Sequence, residues 1–416
     1  MKDQIKKIVM LIIIAFAVRL LTIFVLQTYQ AFGGDSPFAR EELDRIALNI
    51  ISGRGYVYPH LNTTYYFFGD PLYAYIIAFL HWITNKNYLA LAIFQSIIAA
   101  LSIMPLFFIA NKIFDRKTAF ISAWLYCLHP GLIVYAVIIG KFALMVGFLL
   151  ILIYLIVCHE IKRWNLLAIG ILMGLGLLLR PTLMYLIPAV FIYLLSKKEH
   201  LRDALLKLFV IILLTTLVIS PRIYRGYKIY HRFIFIASTT SEILWRGNNP
   251  LTTGTGYNKD GIDILSSTDA AFKKKLFSLT EMGQYDFFKE EAIKYIKNHP
   301  ADFLKLTLKK FIYFWSFSPT TGFMYPKHWL IIYKLWYYFL AFFFILGIYF
   351  NFKKRNYNNL PLIIFLFSFF LIFSFFQSIF YVDTRHRWLI EPLLMIFSGY
   401  GIVKVLPFGK LSNIRK

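Results

Sequence analysis

Cysteine is nearly absent: Cys127 and Cys158 are the two in 416 residues. Both sit inside apolar runs, which argues against a disulfide framework or a cysteine zinc site and makes them packing residues. Acid is scarce as well, with 21 Asp and Glu against 45 Lys and Arg, a formal net charge of +24. In a soluble chain that excess would suit nucleic acid. Here 59% of residues are hydrophobic, so the cations belong in loops, where they set orientation or meet anionic lipid. Membrane lipids are the expected surroundings, and no nucleic acid is expected. No Walker A loop, G-x-S-x-G elbow or H-E-x-x-H helix occurs, which disfavours a nucleotide-driven pump, an α/β-hydrolase-type esterase and a zincin. Internal repeats, low-complexity tracts and soluble-domain linkers are also lacking.

What is present is a series of apolar runs. A helix needs about 20 apolar residues to cross a bilayer, fewer when neighbours shield it. Ten runs qualify: 8–27, 88–111, 118–137, 142–158, 165–179, 182–196, 207–220, 328–350, 360–381 and 388–407. The first, behind Lys2, Lys6 and Lys7, is long for a signal-peptide core and lacks a small-x-small cleavage site, so it is expected to be retained. With ten spans every short basic cluster falls on the cytoplasmic side: Lys112, Arg116 and Lys117; Lys162 and Arg163; Lys197, Lys198, Arg202 and Lys207; Lys353 to Arg355; Lys410, Arg415 and Lys416. That arithmetic requires "PLYAYIIAFLHWI", Pro71 to Ile83, to be a re-entrant or interfacial helix.

The segments left outside are 28–87, the turns at Ile139–Lys141 and Arg180–Pro181, the long loop 221–327, and 382–387. The chain thus divides into a membrane module 1–220 with an outer loop 28–87, an outer loop 221–327, and closing membrane helices 328–416. Within the long loop, "FFKEEAIKYIKNHPADFLKLTLKKFIYFW" reads as two amphipathic helices broken at Asn298-His299-Pro300 and lying on the membrane surface. The glycines at Gly174 and Gly176 lie inside a span, where close helix packing calls for them.

The outer loop 28–87 carries acids in "EELDRIALNIISGRGY". Leu43, Ile46, Ala47, Ile50 and Ile51 follow helical spacing, with Ser36-Pro37 as a start and Gly53 as a stop. On that helix Glu41 and Arg45 point away from the apolar stripe, while Glu42 and Asp44 sit at its two edges. An acid at an edge can face a cleft; equally, acids near a helix N-terminus serve the dipole.

"ELDRIALNIISGRGYVYP" followed by "GDPLYAYIIAFLHWI" resembles the first outer loop of the GT-C-type membrane glycosyltransferases, the group that includes protein O-mannosyltransferases and aminoarabinose transferases. The shared pattern is an acid, an alanine, G-x-G-aromatic and P-x-Y, filled here by Glu42, Ala47, Gly53-Arg54-Gly55-Tyr56 and Pro71-Leu72-Tyr73. "LLLRPTLMYLIP", "ILWRGNNPLTTGTG" and "YVDTRHRWLIEPLLMIFSGYG" look like later stretches of the same group, so the resemblance covers nearly the whole chain. It implies an all-α GT-C fold with ten or eleven transmembrane helices in the cytoplasmic (inner) membrane. It also implies inverting transfer of a sugar from a polyprenyl-phosphate carrier to an acceptor hydroxyl on the outer face. The acid in that loop is the family's catalytic base, which falls on Glu42.

Such a transfer needs a carboxylate to take the acceptor's proton and cations to receive the leaving phosphate. Asp44 and Asp70 are the other candidate carboxylates, although Gly-Asp-Pro is also an ordinary turn. Arginine suits the phosphate through its planar fork. Arg385 and Arg387, with His386 between them and Tyr381 before them, are candidates; interfacial snorkelling is the other reading. Arg180, between two short apolar runs, faces either a cavity or a partner such as Glu391 or Asp383. Trp245, Arg246, Asn248 and Asn249 offer an aromatic surface and amides for a sugar or peptide, or equally a tight turn before Pro250. Where many family members place a second, sometimes metal-binding acid, this chain has Lys141, which can meet phosphate but cannot ligate a cation. No obligatory metal or other cofactor is expected. The competing readings are a ligase or polymerase using diphosphate-linked oligosaccharide, a transporter of a lipid-linked sugar, and a non-enzymatic scaffold.

Overall fold

A computed structural model of the chain describes residues 2–28, 41–60, 63–353 and 359–406. Ser36-Pro37 and the basic tail at Lys410 to Lys416 lie outside them. The described residues are mostly helical, and their strands amount to one antiparallel ladder pairing Tyr58–His60 with Thr63–Tyr65.

Five helices are long and apolar enough to cross a membrane: Ile5–Leu26, Tyr88–Ile113, Leu201–Tyr230, Lys327–Lys353 and Leu360–Ile379. Arg116–Cys127 and Pro130–Val137 make a sixth span, bent by 54°. The bend sits where His129 leaves helical geometry; its ring accepts from the Leu132 N–H and Pro130 takes the first helical position, so the second helix starts afresh. Phe142–Cys158, Trp164–Leu179, Pro181–Ser196 and Glu391–Val405 are shorter helices at the remaining places where spans were expected. This is a multi-pass all-α membrane protein.

Close packing comes from glycine. A methyl group on Gly174 would lie 2.5 Å from Val218 Cβ, and one on Gly170 2.7 Å from Leu214 Cβ, so the Arg163–Leu179 and Leu201–Tyr230 helices touch through their backbones there. Gly347 and Gly401 do the same between Lys327–Lys353 and Glu391–Val405. The latter helix is buried along nearly its whole length.

One boundary departs from expectation. The helix expected to end at residue 220 continues through Pro221 to Tyr230, because a membrane helix flanked by packed neighbours absorbs the single lost N–H. Pro71–Thr84 is a helix of 14 residues, shorter than a straight crossing needs. It buries Tyr73, Ala74 and Ile77 and turns Tyr75, Phe79 and Trp82 outward. The break at His299 is as the sequence reads: Glu281–Asn298 ends there and Pro300–Trp315 begins, exposing Leu304, Leu308 and Ile312 along one stripe.

Candidate functional site

The acidic stretch folds as the helix Glu41–Ile51. It buries Leu43, Ile46 and Ala47, and ends where Gly53 takes a φ of 80°, a left-handed conformation open to glycine. Gly55, Tyr56 and the hairpin then carry the chain back. Tyr56 is buried beneath Arg222, whose guanidinium sits 4.4 Å over its ring and 3.7 Å over Phe67, and its hydroxyl donates to the Phe68 carbonyl at 2.5 Å. The aromatic of the G-x-G-aromatic motif therefore fixes the backbone that leads into Gly69-Asp70.

The two edge acids part company. Asp44 is buried, with Oδ1 2.8 Å from His81 Nε2 and Oδ2 accepting from the Tyr88 hydroxyl at 2.9 Å. It fastens this helix to the next two, and its lone pairs are committed. Glu42 instead lines a cavity of about 600 Å³, is partly exposed, and forms no ion pair with another described residue.

Asp70 lines the same cavity. It precedes the Pro71 helix without capping it, and its carboxylate pairs instead with Lys141. Lys141 is held in register by Gln95, which accepts from the Tyr73 hydroxyl and donates to the Ile138 carbonyl at 3.0 Å. Arg180, at the break between Arg163–Leu179 and the 3₁₀ turn Pro181–Tyr185, reaches the cavity beside the Phe142 ring, 6.0 Å from its centroid. It pairs with neither Glu391 nor Asp383, since Glu391 is taken by Arg387 and His129 and Asp383 by Arg385.

Tyr381, Arg385 and His386 close the far wall. Arg385 Nε lies 2.7 Å from Asp383 Oδ2; burial opposes its charge, but the carboxylate outweighs burial and keeps it protonated. His386 Nδ1 accepts from the Asp383 N–H at 3.2 Å, so a neutral ring carries its proton on Nε2.

Five other residues expected to bind substrate lie elsewhere. Arg387 is buried, 2.7 Å from Glu391, donating to the Phe314 and Ser316 carbonyls and stacked 3.5 Å over Tyr337. Two residues beyond Arg385, it turns into the helix core instead of the mouth. Trp245 packs on Phe272 and Phe288 in a small outer core. Asn249 spends its amide on the Trp245 carbonyl, and Asn248 donates to the Leu244 carbonyl and, across the fold, to that of Ile379. Arg246 pairs with Glu242 and Asp263 and lines a second, smaller cavity.

Glu281 escaped the sequence reading, being one acid among several on an amphipathic helix. It is buried and accepts from the Tyr66 and Phe67 N–H groups at 2.6 and 3.0 Å, from Ser238 at 2.5 Å and from Tyr230. Asp70 is paired with Lys141, and among the described residues no three His, Cys, Asp or Glu side chains gather.

The family model for dolichyl-phosphate-mannose-protein mannosyltransferase matches residues 69–224, less than half of the chain. No curated protein matches it. Among solved structures, the oligosaccharyltransferase AglB of Archaeoglobus fulgidus in complex with an inhibitory peptide and a dolichol-phosphate superposes with a TM-score of 0.60 at 14% identity. It covers 99% of this chain and 51% of that one. The apo oligosaccharyltransferase of the same organism gives 0.58, also at 14% identity over 99% and 51%. The chain thus spans about half the length of these structures. With its all-α layout, the chain has the GT-C fold of these structures.

Proposed function

We propose that this protein transfers a sugar, hexosyl or pentosyl, from a polyprenyl-phosphate carrier to an acceptor hydroxyl of a lipid, glycan or protein. The reaction takes place on the extracytoplasmic face of the cytoplasmic membrane. The observation that carries the reading is a carboxylate facing cations across one cavity: Glu42 on one wall, Lys141, Arg180 and Arg385 on the others. Of the first outer loop's described carboxylates it is the one left without an ion pair.

Glu42 takes the proton of the acceptor hydroxyl as its oxygen bonds to the anomeric carbon. The bond from that carbon to the phosphate oxygen breaks with its electron pair, and the polyprenyl phosphate leaves toward the arginines. Attack opposite the leaving group inverts the anomeric centre. Asp70 tempers Lys141 and orients it, and no metal is required. The family model's dolichyl-phosphate-mannose description and the dolichol-phosphate in the archaeal complex support a lipid monophosphate donor.

The test uses membranes carrying the wild-type chain or Glu42→Gln at equal expression, supplied with radiolabelled sugars on polyprenyl monophosphates. Label is expected in a lipid, glycan or protein fraction with the wild type and not with the variant. Transfer that survives Glu42→Gln would place the base at Asp70. No transfer from any monophosphate donor would favour the diphosphate-using ligase or the transporter.

A further inference from the structure

Behind the far wall of the main cavity lies a second one, of about 240 Å³, formed by the outer loop before and after Gly256, the Ser318–Thr321 turn and the segment Tyr381–Arg385. Tyr381 and Arg385 line both. In this second cavity each cation is balanced: Arg246 Nη1 lies 2.6 Å from Asp263 Oδ2, and Arg385 is paired with Asp383. An anion gains nothing there.

The wall is instead a run of hydroxyls. Thr255 and Thr320 meet at 2.9 Å, Ser318 reaches Thr320 at 3.1 Å and Thr321 at 2.9 Å. A hydroxyl carries one donor and two lone pairs; Thr255 spends its own on Thr253, Tyr257 and Thr320, whereas Ser318, Thr320 and Thr321 each meet two neighbours and retain capacity. Burial and then Asp383 raise the Tyr257 phenol, which keeps its proton to donate. Tyr381 supplies an aromatic face, and Gly256 leaves it clear, since a methyl there would touch only that ring, at 3.8 Å. The volume is below the roughly 300–1,000 Å³ of a drug-sized ligand site, room for one ring.

We propose that this second cavity binds a single neutral sugar residue, either the glycosyl group of the donor or the terminal sugar of a carbohydrate acceptor. It holds that residue through the Ser318, Thr320 and Thr321 hydroxyls, Tyr257 and the face of Tyr381. The inference rests on the transferase reading for what the sugar is used for, but not for whether it binds.

Saturation-transfer NMR on the purified full chain in detergent, with a panel of methyl glycosides as probes, tests it directly. At least one glycoside is expected to show transfer with the wild type and with Glu42→Gln. Its affinity should fall at least tenfold with Thr320→Val and with Tyr257→Phe, two alterations made independently in case one perturbs folding. Saturating polyprenyl phosphate without sugar should leave the glycoside bound. In turnover, a KM increase confined to the donor assigns the site to the glycosyl group, and one confined to the acceptor assigns it to a carbohydrate acceptor. Absence of signal from every glycoside at millimolar concentration overturns the proposal. So does a signal unchanged in both variants, or displacement of the glycoside by polyprenyl phosphate or a Ser/Thr-rich peptide. Because Glu42→Gln keeps binding while losing transfer, failure of this site and failure of the transferase reading give different results.

Discussion

A carboxylate serves as a base when its lone pairs are free to meet a substrate proton, and as a fastener when they are filled. Glu42 and Asp44 share a helix and show both cases. Glu42→Gln is expected to lower kcat by about 10²–10⁴-fold, the usual range for a general base, with an unchanged melting temperature. Asp44→Asn should do the reverse. It removes the charged partner of His81 and Tyr88, costing about 1–3 kcal/mol of stability while leaving kcat at 25 °C near the wild-type value. Thermal melting and steady-state kinetics on the two variants separate the roles, and equal kinetic damage from both would undo the assignment of the base. Arg180→Gln should raise the KM for the lipid donor about ten- to a hundredfold, matching the 1.5–3 kcal/mol of a hydrogen bond to a charged group, with less effect on the acceptor.

At the scale of elements, the parts that follow local rules were readable from sequence. The Glu41–Ile51 stripe, the Gly53 stop and the break at His299-Pro300 rest on periodicity and on glycine and proline geometry, which neighbouring residues determine. Trp245 and Arg387 were not readable, because an aromatic or an arginine has the same letter in a binding site and in a packed core. Their partners, Phe272, Phe288 and the Phe314 carbonyl, are distant in sequence. Glu281 belongs with them: it binds the loop after the hairpin to the long outer loop and so holds both rims of the main cavity. Glu281→Gln removes a charge-assisted acceptor from buried backbone N–H groups, a loss of about 1–3 kcal/mol. The expected signature is a lower melting temperature together with faster tryptic cleavage at the exposed Lys273–Lys275, while helical circular dichroism stays unchanged. Wild-type cleavage kinetics would mean that the two rims are held by other contacts.

For the whole molecule, the cavity takes its walls from turns spread over the chain, at Glu42, Asp70, Lys141, Arg180 and Arg385. The orientation arithmetic had already put those turns on one side. Which side chains turn inward was not legible, since that depends on helix ends meeting across the fold. One such meeting is Lys310, buried in the Pro300–Trp315 helix, whose ammonium donates to the Gly247 and Ile379 carbonyls and to Asn248 Oδ1 at 3.1–3.2 Å. It ties the outer loop to the end of the Leu360–Ile379 span just before Tyr381. Burial lowers its pKa from the ordinary 10.5 to about 7. Below pH 7 the folded and unfolded chains both carry the proton, and the cost of the buried charge is constant. Between about pH 7 and 10 the unfolded chain holds a proton that the folded chain has released, so stability rises with pH by up to about 1.4 kcal/mol per unit. Lys310→Met removes that titration. The melting temperature of the wild type relative to Lys310→Met should therefore climb from pH 7 to pH 9.5 and be flat from pH 5.5 to 6.5, measured by intrinsic fluorescence in detergent. A difference that stays constant across pH 7 to 9.5, or falls, would show that the ammonium remains charged in the fold, held by its three acceptors against the cost of burial.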